Sequence, residues 1–555
     1  MKKILLSVFV AIATVATTAP QALAQTACPS TPTPITLSGN LATQTLSRNN
    51  IYLLQGFVYV PNGTTLTIEP GTIIKGDKAS KGSLIVQRGG RIIADGTPTQ
   101  PIVFTSNQPA GSRARGDWGG LIICGAAPQN LPGDPTIEGG PVANFGGNQP
   151  ADNSGILRYV RIEFPGIEFL PNNEINGLTL GGVGNGTIID YVQVSYSGDD
   201  SFEWFGGTVN AKHLIAFRGT DDDFDTDNGF SGKVQYGVAL RDPQVADVAT
   251  GGASNGLESD NDATGTTNGP QTSAVFSNMS VFLPGPLTAA DPAFQRGVHI
   301  RRNSAISLFN SVVTGFRRGV LVDGAATEGN LNGGASVFKN NAFADINSGS
   351  TTNYYAANTG STFDVNAYFN DAARANQTFT SVGALGFSAT NFNINTNVAP
   401  DFNLPAASVL NTGAAYADAK LADAFFEKTG TFRGAFGSTN WAAGWTNFNP
   451  QITCYNLPGS TLSNRKANDL LQSLAVAPNP TAGAATLSFE LKKGAAVSVR
   501  VLDLTGRQVA VVTNATKLAA GAQAIQLPAT LAAGVYAATV TTDETTQAVR
   551  FVVTK

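Results

Sequence analysis

The chain is 555 residues long, with 61 glycines, three cysteines and two histidines, and only 13% of its residues are charged. Two histidines leave little room for a histidine-based triad or a multi-histidine metal centre, and three cysteines are too few for a disulfide framework. The net charge of −4 is uneven: residues 199 to 262 hold 13 acids against 4 Lys or Arg. That concentration disfavours nucleic acid as a partner and favours cations or hydroxyl-rich ligands.

The N-terminus, "MKKILLSVFVAIATVATTAPQALAQ", has Lys2 and Lys3, an apolar run and the small-x-small site Ala22-Leu23-Ala24. This pattern predicts a secretory signal peptide over residues 1–24, cut before Gln25. The run is short and is interrupted by Thr14, Thr17 and Thr18, so no transmembrane helix is expected in the mature chain. Cys28 lacks the upstream leucine of a lipoprotein site. About 530 residues remain, enough for more than one domain.

From residue 25 to 455 the composition is that of an all-β chain with many turns. "TLTIEPGTIIKG" and "SLIVQRGGRIIADG" superpose with Leu66 on Leu84, each giving a strand, a Gly turn and a second strand. "LRYVRIEFPG" and "IDYVQVSYSG" continue the pattern at spacings of 18 to 24 residues. Recurrence at this period fits stacked coils better than the hairpins of a sandwich, and predicts a right-handed parallel β-helix with loop insertions. Cys124, in "WGGLIIC", reads as a buried small hydrophobe. No spacing argument decides whether Cys28 and Cys454 pair.

The acidic stretch "GTDDDFDTDNGFSG" resembles a calcium loop only superficially, because Asn228 stands where the turn glycine belongs and Val234 where the closing Glu belongs. It resolves instead into rungs. Leu178, Phe202, Phe224, Leu257, Val298 and Val320 form one column, and Leu180, Trp204, Thr226, Ser259, Ile300 and Val322 a second. By strand alternation both face the coil interior.

The intervening columns are then expected to face solvent. One holds Thr179, Glu203, Asp225, Glu258, His299 and Leu321; the other holds Gly181, Phe205, Asp227, Asp260, Arg301 and Asp323. Asp199, Asp200, Asp221, Asp222 and Asp223 fall in the preceding turns, where acids often close the backbone. Rungs lie about 4.8 Å apart, so Glu203, Asp225 and Glu258 form a like-charge ladder that needs compensation. Calcium held by Glu203, Asp225, Asp227, Glu258 and Asp260 would supply it, as would partial protonation or the cations His299 and Arg301. Glu203, Asp227, Asp260 and Arg301 are the ligand-binding candidates on this face. His213 aligns with Tyr191 and reads as structural. No phosphate-cradling motif, and hence no organic cofactor, is expected.

After a linker at 456–473, residues 474–555 change texture. "LAVAPNPTAGAATLSFEL", "VSVRVLDLTGRQVA", "LAAGVYAATV" and "AVRFVVTK" alternate like half-buried antiparallel strands. Through Pro478, Asn479 and Pro480, Asp503 with Gly506, Gly534, Val535 and Tyr536, and Lys555, this segment resembles the type A C-terminal sorting domain of type IX secretion in Bacteroidota. The resemblance implies a small immunoglobulin-like β-sandwich, recognition by the type IX secretion machinery after Sec export, and release or attachment at the outer-membrane surface.

The preceding segment, with "GDWGGLIICG", "DDSFEWFGGTVNAK" and "FRGAFGSTNWAAGWTNFNP", resembles secreted β-helix proteins of similar bacteria, a likeness that brings a fold without an agreed activity. The expectation is a surface β-helix that binds extracellular polysaccharide or mediates adhesion through an acidic, calcium-loaded face. One alternative is a polysaccharide lyase or glycoside hydrolase with Asp225, Glu258, His299 and Arg301 as catalytic candidates. Against it, Asp199-Asp200 and "GVHIRR" match the signatures of such enzymes only loosely. Another alternative is a passive scaffold.

Overall fold

A computed structural model describes residues 28–170, 173–247, 253–349, 354–388, 391–392, 394, 399–461, 471–503, 507–542 and 546–554. The signal peptide, Gly506, Lys555 and residues 462–470 of the linker lie outside the described residues. Among those described, 27 strands join one continuous parallel ladder, which makes the first domain a parallel β-helix. No described helix is long and apolar enough to cross a membrane.

The central rungs stack in the register read from sequence. Leu178 pairs with Phe202, Phe202 with Phe224, Phe224 with Leu257, Leu257 with Val298, and Val298 with Val320. All six side chains are fully buried within one core. Phe202 and Phe224 stack with ring centroids 5.5 Å apart, and Trp204 lies over Phe230 at 5.3 Å. Thr226 and Ser259 enter the same interior without leaving a hydroxyl stranded: Thr226 Oγ1 donates to Ser259 Oγ (2.8 Å), which is 2.6 Å from Ser304 Oγ.

A second wall consists of longer strands, Gly155–Glu163, Ile188–Ser195, Asn210–Phe217 and Lys233–Leu240. Each bends at one non-glycine residue of positive φ: Tyr159, Tyr191, His213 and Tyr236. Side chains seldom adopt that conformation, but here the four rings stack on one another at 4.4, 4.2 and 5.3 Å. His213 Nδ1 also lies 2.8 Å from Asp190 Oδ1, so the residue serves the corner, as its alignment with Tyr191 suggests.

The N-terminal coils differ from expectation. Leu66 does not stack on Leu84: Leu66 pairs with Ile92, whereas Leu84 pairs with Val58 and Leu121. Each coil contains several short strands of similar apolar spelling, and sliding the sequence matched two strands that belong to different walls.

Residues 399–461 add no rung. They run back along the outside of the coils as a strap of almost wholly irregular structure. Phe402, Leu410, Phe436 and Trp445 pack onto the outward apolar side chains Phe217, Leu240, Phe282 and Val312. Buried coil amides bond the strap backbone in both directions. Gln193 donates to Asn447 O and accepts from Asn447 N (2.9 Å each), and Gln235 treats Glu427 likewise (2.9 and 2.8 Å). Asn310 does the same with Ala415. Near its end the strap reaches the first coils, where Cys454 is disulfide-bonded to Cys28; Cys124 is free and buried.

The C-terminal domain has a three-stranded and a four-stranded antiparallel sheet. Leu487 and Phe489 of one sheet meet Val499, Val501 and Val540 of the other in a separate core, the sandwich expected from the alternation.

Candidate functional site

The outward columns keep the predicted register, with Thr179, Glu203, Asp225, Glu258 and His299 side by side on successive rungs. They are not open to solvent as expected. Glu203 is 7% exposed, Glu258 9%, Asp260 4% and His299 3%. At the Glu203 end, the segment between the strands Leu121–Cys124 and Gly155–Glu163 folds over this face instead of away from it; at the other end, Glu258, Asp260 and His299 cover one another together with Asn255, Arg301 and Asp323. Ile137 and Phe145 of the segment press on Gly181, and Asn130 Nδ2 donates to Asn261 O at 2.7 Å. Asp225 and Asp227 remain half-buried.

The acids divide into two groups with opposite electrostatics. Toward the C-terminal coils, Arg301 pairs with Glu258 and, through Nε, with Asp260 (2.7 Å); Arg302 Nη1 reaches the other Asp260 oxygen at 2.7 Å. His299 sits between Glu258 (Nδ1, 3.0 Å) and Asp323 (Nε2, 3.4 Å). Burial by itself would raise the Glu258 pKa, but the His299 hydrogen bond and the Arg301 charge outweigh it and hold the group below its ordinary value. Burial likewise opposes charge on His299, yet its bonds to Asp323 and Glu258 raise its pKa. Glu258, Asp260, His299 and Arg301 thus form a self-neutralised network.

The other group has no such partners. One carboxylate oxygen from each of Asp200, Glu203 and Asp225 lies within 4.8 Å of the others, and Asp199, Asp200 and Asp221 meet the same criterion. Asp200 belongs to both trios. None of these five forms an ion pair among the described residues. Burial first, and then repulsion from neighbouring acids, pushes Asp200, Glu203 and Asp225 well above the ordinary carboxylate range. Asn176 Nδ2 donates to Glu203 and to the rim residue Glu138 (3.0 Å). Among the described residues, Oδ1 of Asp225 has no hydrogen-bond partner.

The predicted ligand set is therefore regrouped. Glu203 and Asp225 stand together, Glu258 and Asp260 are engaged by arginines, and Asp227 binds the Asn228 amide (2.6 Å), its pKa raised by burial to about 7. Asp199, Asp200 and Asp221 join the site from turns, where alternation gives no side-chain direction. Oxygen atoms within 4.8 Å of one another suit a single hard cation with ligands at roughly 2.3–2.6 Å.

In the C-terminal domain, Asn479 Oδ1 accepts from Val552 N (2.9 Å) and its Nδ2 donates to Arg550 O (3.1 Å), tying the segment that holds Pro478 and Pro480 to the last strand. Gly534 opens the strand Gly534–Thr541, and Tyr536 donates from its hydroxyl to Ala532 O (3.0 Å).

Comparison with family models matches residues 39–446 to the pectate-lyase like beta helix domain and residues 475–554 to the secretion system C-terminal sorting domain. Comparison with curated proteins and with solved structures gives no match. The sorting domain marks the chain for export through type IX secretion, to be released or held at the cell surface. Over most of its length, then, this chain belongs to the family of pectate-lyase like β-helix domains, and it ends in a type IX sorting domain.

Proposed function

We propose that this secreted surface protein binds extracellular polysaccharide through calcium held on its acidic face. The observation that carries the reading is the pair of carboxylate trios sharing Asp200, without a protein cation, beside a network in which every acid has one. An ion coordinated by Asp200, Glu203 and Asp225 would relieve their repulsion and offer open positions to sugar hydroxyls or uronate carboxylates. The direct test is a glycan array run with calcium and with chelator, followed by product analysis on any ligand found. Binding that is indifferent to chelation would reject the calcium arm.

Stability gives a second readout. In chelator the folded state retains protons on these acids that the unfolded chain has already released, so stability is expected to fall as pH rises above about 4. Calcium should flatten that decline, and should raise Tm in proportion to its preference for the folded state. Asp225→Asn is expected to stabilise the metal-free protein and to abolish the calcium response. A calcium response that survives in both Asp225→Asn and Asp200→Asn would place the ion elsewhere.

A cleaving enzyme is the second reading, favoured by His299 between Glu258 and Asp323 with Arg301 alongside. It requires new reducing ends or unsaturated products on the array ligand, lost in Arg301→Ala. The export reading has its own check. Deleting residues 474–555 should leave the protein in the periplasm, and surface display at normal levels would contradict it.

A further inference from the structure

Gly219 lies in the turn between the strands Asn210–Phe217 and Phe224–Asp227, and it is buried. Other buried glycines of these coils are packed tight: a Cβ on Gly177, Gly237 or Gly256 would strike side-chain carbons of Val194, Met279 or Val281 at 2.5, 2.1 and 2.3 Å. Gly219 differs. Its chain neighbours aside, the three atoms nearest to a Cβ placed there are all oxygens: Ser201 Oγ at 2.7 Å, Asp199 O at 3.9 Å and Asp223 Oδ1 at 4.0 Å.

The protein itself satisfies none of the three. Ser201 and Asp223 are 0% exposed, and Ser201 Oγ and Asp223 Oδ1 have no hydrogen-bond partner among the described residues. No described group donates to the Asp199 carbonyl. Arg241 meets Asp223 through its other oxygen, with Nη1 3.0 Å from Oδ2, while Nη1 and Nη2 donate to Asn255 O and Thr220 O (3.1 Å each). Three buried oxygens converging on one point carry a desolvation cost that a ligand of matching chemistry would remove. Charge selects a cation, because Asp199, Asp200, Asp221 and Asp222 crowd the same turns with no ion pair among the described residues. A single lining carboxylate, already shared with Arg241, suits one positive charge better than two.

We propose that Ser201 Oγ, Asp199 O and Asp223 Oδ1 bind one monovalent alkali-metal cation beside Gly219, pinning the turn that carries Asp199 and Asp200. The site is separate from the calcium trios and does not depend on them. Sodium chloride is the probe, compared with N-methylglucamine chloride at constant ionic strength, because that organic cation is too large to enter. Chelator is present throughout. Wild-type protein is expected to show a saturable rise in Tm with sodium, on the order of 2 °C.

Gly219→Ala puts a methyl group where the ion would sit. The φ of Gly219 is outside the left-handed region, so alanine fits the backbone, and only the Ser201 hydroxyl must turn aside. This variant should lose the sodium response, with a Tm in N-methylglucamine no lower than that of the wild type. Ser201→Ala removes one ligand without adding bulk, and should need about tenfold more sodium for the half-maximal rise. Asp225→Asn should keep the sodium response. Equal wild-type Tm in the two salts would mean that water alone serves the three oxygens, and would overturn the proposal. So would an unshifted sodium midpoint in Ser201→Ala, or a response kept in Gly219→Ala and lost in Asp225→Asn, which would put the ion on the acidic face.

Discussion

Phe224→Asp is expected to unfold the central coils. Phe224 is fully buried and stacked on Phe202, so the change removes an aromatic side chain from the core and puts a carboxylate in its place. Aromatic truncation in a core costs about 3–5 kcal/mol. An unpaired buried charge adds several more by the same order of reasoning, a sum comparable with the whole stability of a domain. Loss of the cooperative melt and of near-ultraviolet circular dichroism is the expected reading. The adjacent Asp225→Asn points away from the core and relieves repulsion, so its Tm should be unchanged or higher. Equal tolerance of the two substitutions would mean that the columns are assigned to the wrong faces.

The second large effect is expected for Cys28→Ser with Cys454→Ser. The bond spans a sequence separation of 426 residues. In the chain-entropy account a closure of that size stabilises the fold by about 6 kcal/mol, beyond the upper end of what disulfides usually contribute. Calorimetry of the double variant should show a lower Tm, and hydrogen exchange should speed up first in the strap residues 447–461. Exchange there that matches the wild type would show that the polar bonds of Arg113, Arg161 and Glu163 hold the strap end unaided.

The rungs from Leu178 to Val322 were legible because large apolar residues alternate with carboxylates, a pattern whose phase only one register satisfies. The coils at 65–106 were misphased for the opposite reason: "TLTI", "SLIV" and "RIIAD" are interchangeable spellings, and nothing polar marks which wall each belongs to. The acid ladder was visible, with His299 and Arg301 among the groups that could compensate it, but the part played by Arg302 and the enlistment of Asp199, Asp200 and Asp221 were not. Turn side chains follow no period, and the covering segment 126–153 has no regular structure to read. The strap left no local signal at all. Its partners Gln193, Gln235 and Asn310 lie between 105 and 254 residues away, and a buried glutamine looks like a surface one in sequence.

The route of the strap has a mechanical consequence. When the sorting domain is the point of attachment, tension arrives through the segment after Cys454. It passes across the disulfide to Cys28 and into the first coils, where Arg113, Tyr455 and the bond from Arg161 to Thr461 O brace the junction. The strap from 399 to 447 and the last coils lie off this path and carry no load. An unbridged chain would instead peel from the C-terminal end, one amide clasp at a time. The covalent shortcut lets the protein be pulled at its anchor while the acidic face keeps its shape.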